Sequence, residues 1–363
     1  MNYSTSNREN NLNLIRLIAS IFVLYNHSFI LAGFMFEEPL WKKYTSMVTF
    51  GNLGVDIFFV TSGFLLALSL LAKQDLPQFF INRVLRIFPG LVFSLVVTVL
   101  VIGMFFTRLD FIDFLKHEQT KNFVFSNSIL LKGIVYLLPD AFLANPIKSV
   151  NGSLWTLPHE LEAYIALFVL AFFSLLSKKY FSTAFKILLF ALFAYSYIRY
   201  ARGYYGGGAY SEKYRLYFFF LFGAVIGTFI KNIKLDMHWG AGCLAVVFFC
   251  LPHKNLLFPA YTLLLPYIIL TLGYVPSGNI RKFNNLGDYS YGMYIYGFFV
   301  QQCVVATALS LSIAMTPHLL FFYSLLFTLA FSIISWKIIE SPALKLKVLF
   351  GRAMKKNPLS TAA

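Results

Sequence analysis

The stretch LNLIRLIASIFVLYNHSFILAGF occupies residues 12–34 and is apolar apart from a few polar side chains, Arg16 and His27 among them. About 20 predominantly apolar residues are enough for a helix to cross a bilayer. No clear small-residue cleavage site follows this stretch, so we expect it to stay in the protein and not to be removed as a signal peptide. It therefore predicts a membrane-spanning helix close to the N-terminus.

The composition extends this interpretation to the whole chain. Hydrophobic residues make up 58% of the sequence and charged residues 12%, whereas soluble domains contain roughly 25% charged residues. The chain also has 42 Phe and 22 Tyr, and aromatic side chains concentrate at membrane interfaces. A soluble globular protein is excluded.

The apolar stretches are separated by short polar segments, which predicts an all-α, polytopic transmembrane bundle of about ten spans. The predicted spans are 12–34, 49–72, 87–106, 154–177, 184–200, 214–231, 239–252, 256–273, 287–310 and 317–339. Residues 108–150 are of mixed polarity and predict a long extramembrane loop, in which the short apolar run 129–138 is partly inserted or amphipathic. The alternative is an eleventh span here, which would invert the topology of everything after it.

The net charge of +15 is explained better by membrane topology and anionic lipid than by nucleic acid. Lys and Arg accumulate in cytoplasmic loops of membrane proteins. With ten spans, most of the positive charge in short loops falls on the side of the N-terminus, and the short loops of the opposite side keep Lys42, Lys43 and Lys254. We therefore expect a multi-pass protein of the bacterial inner membrane with both termini cytoplasmic. Cys243, Cys250 and Cys303 lie in apolar runs without a His or acid at ligand spacing, so no metal site is predicted.

The first span carries Arg16 and His27 eleven residues apart, which is about three helical turns and places them on one face. Each has a simpler explanation, a snorkelling arginine or a core histidine bonded to a carbonyl. Together they favour a polar cavity, in which a neutral imidazole could accept a proton from a hydroxyl.

Three further groups combine polar side chains with predicted spans. The segment GNLGVDIFFVTSGF, 51–64, contains Asn52, Asp56 and Ser62, which could bind substrate or polarise a histidine. Its glycines favour close helix packing. Arg83 and Arg86, just before the third predicted span, suit a phosphate-bearing ligand, although positive charge on the cytoplasmic side would also explain them.

The last group, NGSLWTLPHELE at 151–162, lies at the predicted outer end of the fourth span. Trp155 can stack on a sugar ring, and Glu160 can act on an acceptor hydroxyl. The simpler explanation is an interfacial Trp followed by carboxylates at a helix N-terminus.

These four groups, in this order, resemble the membrane-bound acyltransferase family 3, the O-acetyltransferases of surface polysaccharides such as lipopolysaccharide O-antigen. The likeness includes a late Ser-Tyr-x-x-Tyr at 290–294 and a closing Glu-x-Pro at 340–342, and extends from about residue 10 to 345. Two positions depart from the family pattern. Gly297 stands where many members carry a histidine after the late Tyr motif, and His159 stands where an apolar residue is more usual.

The resemblance implies a transmembrane acyltransferase domain over residues 1–345, followed by a basic cytoplasmic tail at 346–363. It implies acetyl-CoA as a cytoplasmic donor, no permanently bound cofactor, and a glycan acceptor at the outer face. The implied roles are catalytic for His27, Asp56 and Glu160, donor binding for Arg16, Arg83 and Arg86, and acceptor binding for Trp155, Ser62 and Asn52.

The sequence leaves several alternatives open. His27 acts as general base on the attacking hydroxyl, or it carries the acetyl group covalently. A transporter or flippase for a lipid-linked glycan would use similar buried charges, but it predicts inverted repeats or paired broken helices, and neither is visible. A scaffold or sensor would not need Arg16 and His27 on one face. The oligomeric state is not determined by these patterns.

Overall fold

The computed structural model describes residues 10–44, 48–175, 181–206 and 212–347. Within these ranges every regular element is a helix, and nine helices are long and apolar enough to cross a membrane. The predicted all-α, multi-pass membrane bundle is confirmed.

Thirteen α-helices are numbered in chain order. They are α1 Leu12–Leu31, α2 Pro39–Lys43, α3 Phe50–Lys73, α4 Leu76–Phe105, α5 Phe111–Lys116, α6 Glu118–Ile129, α7 Thr156–Leu175, α8 Phe181–Tyr205, α9 Glu212–Phe229, α10 Met237–Cys250, α11 Lys254–Tyr274, α12 Ser290–Ser310 and α13 Pro317–Ser335. The last helix continues through a π-helical turn, Trp336–Glu340, to Lys347.

Each of the ten predicted stretches contains a helix within its described residues, but the seventh helix is short. That helix, α10, has 14 residues and extends about 21 Å, less than the roughly 30 Å of a hydrocarbon core. The alternative of an eleventh span is wrong, because residues 108–150 contain only the short helices α5 and α6. The predicted inserted piece at 129–138 is not a helix, since α6 ends at Ile129.

The helix α4 begins eleven residues before its predicted start, at Leu76 in place of residue 87. The Asp75 side chain caps it by accepting a hydrogen bond from the Gln78 amide at 2.9 Å, and Pro77 suits the first turn. Pro89 lies inside the helix, as membrane helices tolerate. Arg83 therefore lies two turns inside α4, where the sequence predicted a position in front of the helix.

Glycines let α3 approach its neighbours closely, as predicted. A Cβ at Gly63 would lie 1.9 Å from the Phe220 carbonyl oxygen of α9, and one at Gly223 would lie 2.1 Å from the Val60 oxygen of α3. A Cβ at Gly54 would lie 2.4 Å from the Ala19 oxygen of α1. The three helices therefore pack backbone against backbone around the second span.

The start of α1 and the end of the last helix lie at the same end of the bundle. The Asn284 side chain donates to the Asn10 carbonyl, and Asp288, four residues later, pairs with Arg86. Glu340, close to the end of the last helix, lies near the same arginine. The predicted tail at 346–363 lies outside the described residues from 348 onward, and its boundary stays a prediction.

Candidate active site

Five helices, α1, α3, α4, α7 and α12, surround a cavity that is partly open to the surroundings. We call it the arginine cavity, because three arginines line it. Its lining residues are Arg16, Val55, Phe58, Phe59, Arg83, Arg86, Ile87, Thr156, Leu157, Glu160, Tyr164, Tyr291 and Tyr294. All three predicted donor-binding residues and Glu160 are thus brought together.

Arg16 and Arg83 are held in this cavity by aromatic rings. The guanidinium carbon of Arg16 lies 5.4 Å from the centre of the Phe58 ring, and that of Arg83 lies 5.9 Å from the centre of the Tyr164 ring. The Nε atoms of both arginines are buried and have no hydrogen-bond partner among the described residues. Both cations can therefore accept an anionic ligand.

Arg86 is already paired. Its Nη2 donates to Asp288 at 2.5 Å, and its Nη1 lies 4.0 Å from Glu340. Burial disfavours the charged form of Asp288, but the cations Arg86 and Arg16 and the hydrogen bonds from Ser290 hold the pKa of this carboxyl below its usual range.

The structure corrects the predicted location of Glu160. The sequence placed it at the outer end of the fourth span, away from the arginines, but it lines the arginine cavity and accepts a hydrogen bond from the Tyr164 hydroxyl. It reaches the cavity because the chain before α7 runs alongside α12 toward the first residue of that helix. The Asn145 amide donates to the Gln302 side chain at 2.7 Å, and further along the Asn151 amide donates to the Ile295 carbonyl at 2.7 Å.

His27 lies outside the arginine cavity, and it is connected to the side-chain hydrogen bond that joins α7 to α12 in the cavity wall only through its neighbour on α12. Thr156 Oγ1 and the Tyr294 hydroxyl, which both line the cavity, are 2.6 Å apart. His27 is not among the lining residues, and its ring lies 5.0 Å from that of Phe298 in an edge-on arrangement. Phe298 is one helical turn beyond Tyr294 on α12, so His27 lies farther from the start of α1 than the cavity does.

Asp56 and Asn52 lie in a different cluster. The completely buried Asp56 pairs with Arg215, and the Tyr261 hydroxyl donates to its other oxygen at 2.7 Å. Arg215 also donates to the Asn52 carbonyl at 3.2 Å. Ser62 is buried on the same helix, one residue before Gly63. A catalytic role for Asp56 and acceptor-binding roles for Asn52 and Ser62 stay predictions.

Trp155 lies at the edge of a partly exposed polar cluster between α7 and α9. Its ring lies 6.0 Å from that of His159, whose Nδ1 is 3.3 Å from Glu162. Lys213 and the Tyr217 hydroxyl also bind Glu162. Trp155 is half-buried beside this cluster, and its predicted contact with acceptor stays a prediction.

A family model, acyltransferase family 3, described as an acyltransferase domain, matches residues 9–337. The chain belongs to this family. An O-acetyl transferase of Shigella phage Sf6 is 28% identical over 347 residues, which are 90% of this chain and 93% of that protein. Nodulation protein 10 of Rhizobium leguminosarum bv. viciae is 30% identical over 175 residues, 46% of this chain and 45% of that protein. No solved structure matches significantly.

The protein is therefore a membrane acyltransferase, and several residues of its cavity were missed from the sequence. Asp288 and Glu340 pair with Arg86, and Tyr164 binds Glu160. Asp288 directly precedes α12 and Glu340 belongs to the closing Glu-x-Pro, so both were near recognised motifs. Arg215 could have been found as a charged residue within a predicted apolar span, because a charged side chain in such a helix needs a partner.

Proposed function

We propose that this acyltransferase moves an acetyl group from acetyl-CoA to a hydroxyl of a cell-surface or lipid-linked glycan at the outer face of the bacterial inner membrane. The observation that carries the proposal is the arginine cavity, in which Arg16 and Arg83 have no anionic partner among the described residues. The phage relative, an O-acetyl transferase that matches nine-tenths of both chains, supports O-acetylation as the reaction.

The donor is assigned to this cavity by charge. Coenzyme A carries several phosphate groups, and guanidinium groups bind phosphate through forked, charge-assisted hydrogen bonds. The cavity lies at the end of the bundle where α1 begins, which we take as the cytoplasmic end because most of the positive charge in short loops falls on that side. Acetyl-CoA is a substrate here and not a resident cofactor.

The chemistry needs a base and a path to the acceptor. In our proposal His27 takes the proton from the sugar hydroxyl while the hydroxyl oxygen attacks the thioester carbonyl. A carbon–oxygen bond forms, the carbon–sulfur bond breaks, and the coenzyme A thiolate recovers the proton from His27. In the relay variant, a ring nitrogen of His27 attacks the thioester carbonyl, the carbon–sulfur bond breaks, and coenzyme A leaves as its thiol with the proton of the imidazole. The sugar hydroxyl then attacks the acetyl carbon, the carbon–nitrogen bond breaks, and the hydroxyl proton returns to the imidazole.

His27 contacts Phe298, one helical turn beyond the Tyr294 that lines the cavity. In this mechanism the acetyl group must therefore leave the cavity to reach His27, whereas Glu160 already lines it. Of the two predicted carboxylates, Glu160 is therefore the one that we assign to the transfer path. It can orient the thioester or accept a proton during transfer. Trp155 would offer its ring to the acceptor sugar.

Mass spectrometry of surface polysaccharide tests the proposal. Cells that make the protein are compared with cells that lack it, and with cells that make a variant of the same abundance in which Arg16 and Arg83 are both changed to Gln. We expect acetyl groups on the repeat unit only with the unaltered protein. Surface polysaccharide of identical mass in all three samples would contradict the proposal, and surface polysaccharide that is missing only when the protein is absent would favour a transporter.

A further inference from the structure

The three arginines of the cavity differ in their electrostatic partners. Arg86 has two carboxylates within 4.0 Å, Asp288 and Glu340. Arg16 and Arg83 have none within that distance among the described residues, and both bury an Nε without a hydrogen bond. A buried cation that lacks a counter-charge is costly, so these two arginines gain most from an incoming anion.

The carboxylates that pair with Arg86 are themselves fixed by the fold. Glu340 is 2% exposed and ends the π-helical turn of the last helix, where Ser335 donates to its Oε1 at 2.9 Å. Single π-turns within α-helices occur often at functional sites. Asp288 accepts hydrogen bonds from the Ser290 hydroxyl at 2.5 Å and the Ser290 amide at 3.2 Å. Two separate elements thus hold carboxylates against one guanidinium.

Glu160, the carboxylate that lines the cavity, does not pair with Arg16 or Arg83 in the way that Asp288 and Glu340 pair with Arg86. It accepts its hydrogen bond from Tyr164, and no ion pair joins it to Arg16 or Arg83 within 4.0 Å among the described residues. Asp288 forms its ion pair with Arg86, and its charge acts on Arg16 only from beyond ion-pair distance. The side of the cavity formed by Arg16 and Arg83 is consequently the more positive one.

We infer that Asp288 and Glu340 are positioning residues that hold and neutralise Arg86, and that Arg16 and Arg83 are the cations that bind the donor phosphates. This inference rests on the proposed function and gives the two arginines of α4, Arg83 and Arg86, different roles. Arg86 stabilises the junction of α4, α12 and α13, because its partners come from the segment before α12 and from the end of the last helix. Arg83 contributes affinity for the donor.

Binding of coenzyme A to the purified full-length protein in detergent tests this division. Arg83→Gln should weaken the binding roughly ten-fold or more, as expected for one lost charge-assisted hydrogen bond, with an unchanged melting temperature. Arg86→Gln should lower the melting temperature and weaken binding, because it leaves two buried carboxylates unpaired. Adding Asp288→Asn and Glu340→Gln together should restore both properties to Arg86→Gln, because no buried carboxylate then lacks its cation.

Steady-state kinetics give a second readout. For Arg83→Gln we expect the KM for acetyl-CoA to rise far more than kcat falls, whereas adding Asp288→Asn and Glu340→Gln to Arg86→Gln should bring its KM back toward that of the unaltered protein. The inference is overturned if Arg83→Gln binds coenzyme A normally, or if Arg86→Gln loses binding without rescue at an unchanged melting temperature. An unaltered protein that binds coenzyme A but transfers no acetyl group would contradict the proposed function alone, and one that binds no coenzyme A would contradict both.

Discussion

The carboxylate of Asp56 accepts hydrogen bonds from two residues far along the chain, Arg215 of α9 and Tyr261 of α11. Asp56 is fully buried and Arg215 is 2% exposed. Desolvating both charges is costly, and their attraction compensates for this only while both partners are present. The pair therefore joins α3, α9 and α11, and this structural role is independent of any part in catalysis.

Changing Asp56 to Ala should destabilise the protein by about 3 kcal/mol, because it removes the fully buried carboxylate that pairs with Arg215 and leaves the less buried Glu212 as the carboxylate partner of this arginine. Thermal unfolding of the purified protein in detergent measures the effect. Asp113→Ala, which removes an exposed carboxylate on α5, is the matched control and should have the same melting temperature as the unaltered protein. An Asp56→Ala variant that also melts normally would show that the ion pair does not hold these helices together.

Sequence patterns identified the charged residues of the site better than their partners. Arg16, Arg83, Arg86 and Glu160 were all selected from the sequence, and all four line one cavity. The pairing of Asp56 with Arg215 was not predicted, because the two lie 159 residues apart and no periodicity links residues on different helices. The sequence predicted that His27 shares one helix face and one polar cavity with Arg16, but His27 is not among the residues that line the arginine cavity.

At the scale of elements, glycine positions decide how closely the helices approach. The backbones of α3 and α9 touch at Gly63 and Gly223, where a Cβ would overlap a carbonyl oxygen of the facing helix. Such an overlap cannot be relieved by rotating a side chain, because the atom that it meets is backbone. The contact also fixes the position of Asp56 along the helix axis relative to Arg215. Asp56 lies seven residues before Gly63, and Arg215 lies eight residues before Gly223.

Gly63→Ala should therefore lower the melting temperature and reduce acetyl transfer, since α3 and α9 must move apart to admit the methyl group. The matched control is Gly242→Ala in α10, where a Cβ would meet nothing within 4 Å. There the change should be neutral or stabilising by up to about 1 kcal/mol, because alanine favours the helix. Equal stability of the two variants would argue against backbone contact between α3 and α9.

The positions of the apolar helices could be predicted because apolar length alone specifies a span. Two features could not. The extension of α4 to Leu76 depends on the Asp75 cap, which continues the helix through a segment of lower hydrophobicity. The path of the chain alongside α12 before α7 depends on side-chain amides that bind α12, such as that of Asn151, which donates to the Ile295 carbonyl. Hydropathy does not report such contacts.

At the scale of the whole molecule, the cavity and His27 lie at successive depths along α1. Eleven residues of helix separate Arg16 from His27, which corresponds to roughly 16 Å. The proposed donor site and the proposed base are therefore separated along the axis of α1, and His27 does not line the cavity. This arrangement suits an enzyme that takes its donor from one face of the membrane and its acceptor from the other.

The most direct test is acetyl transfer in inside-out membrane vesicles supplied with radiolabelled acetyl-CoA on the exposed cytoplasmic face. The account predicts label on the glycan with the unaltered protein and with His238→Ala, an exposed histidine on α10. With His27→Ala it predicts a loss of about a hundred-fold or more, the usual contribution of a general base, at equal protein abundance. Transfer by His27→Ala at the unaltered rate, or transfer only when the donor is offered to the opposite face, would contradict it.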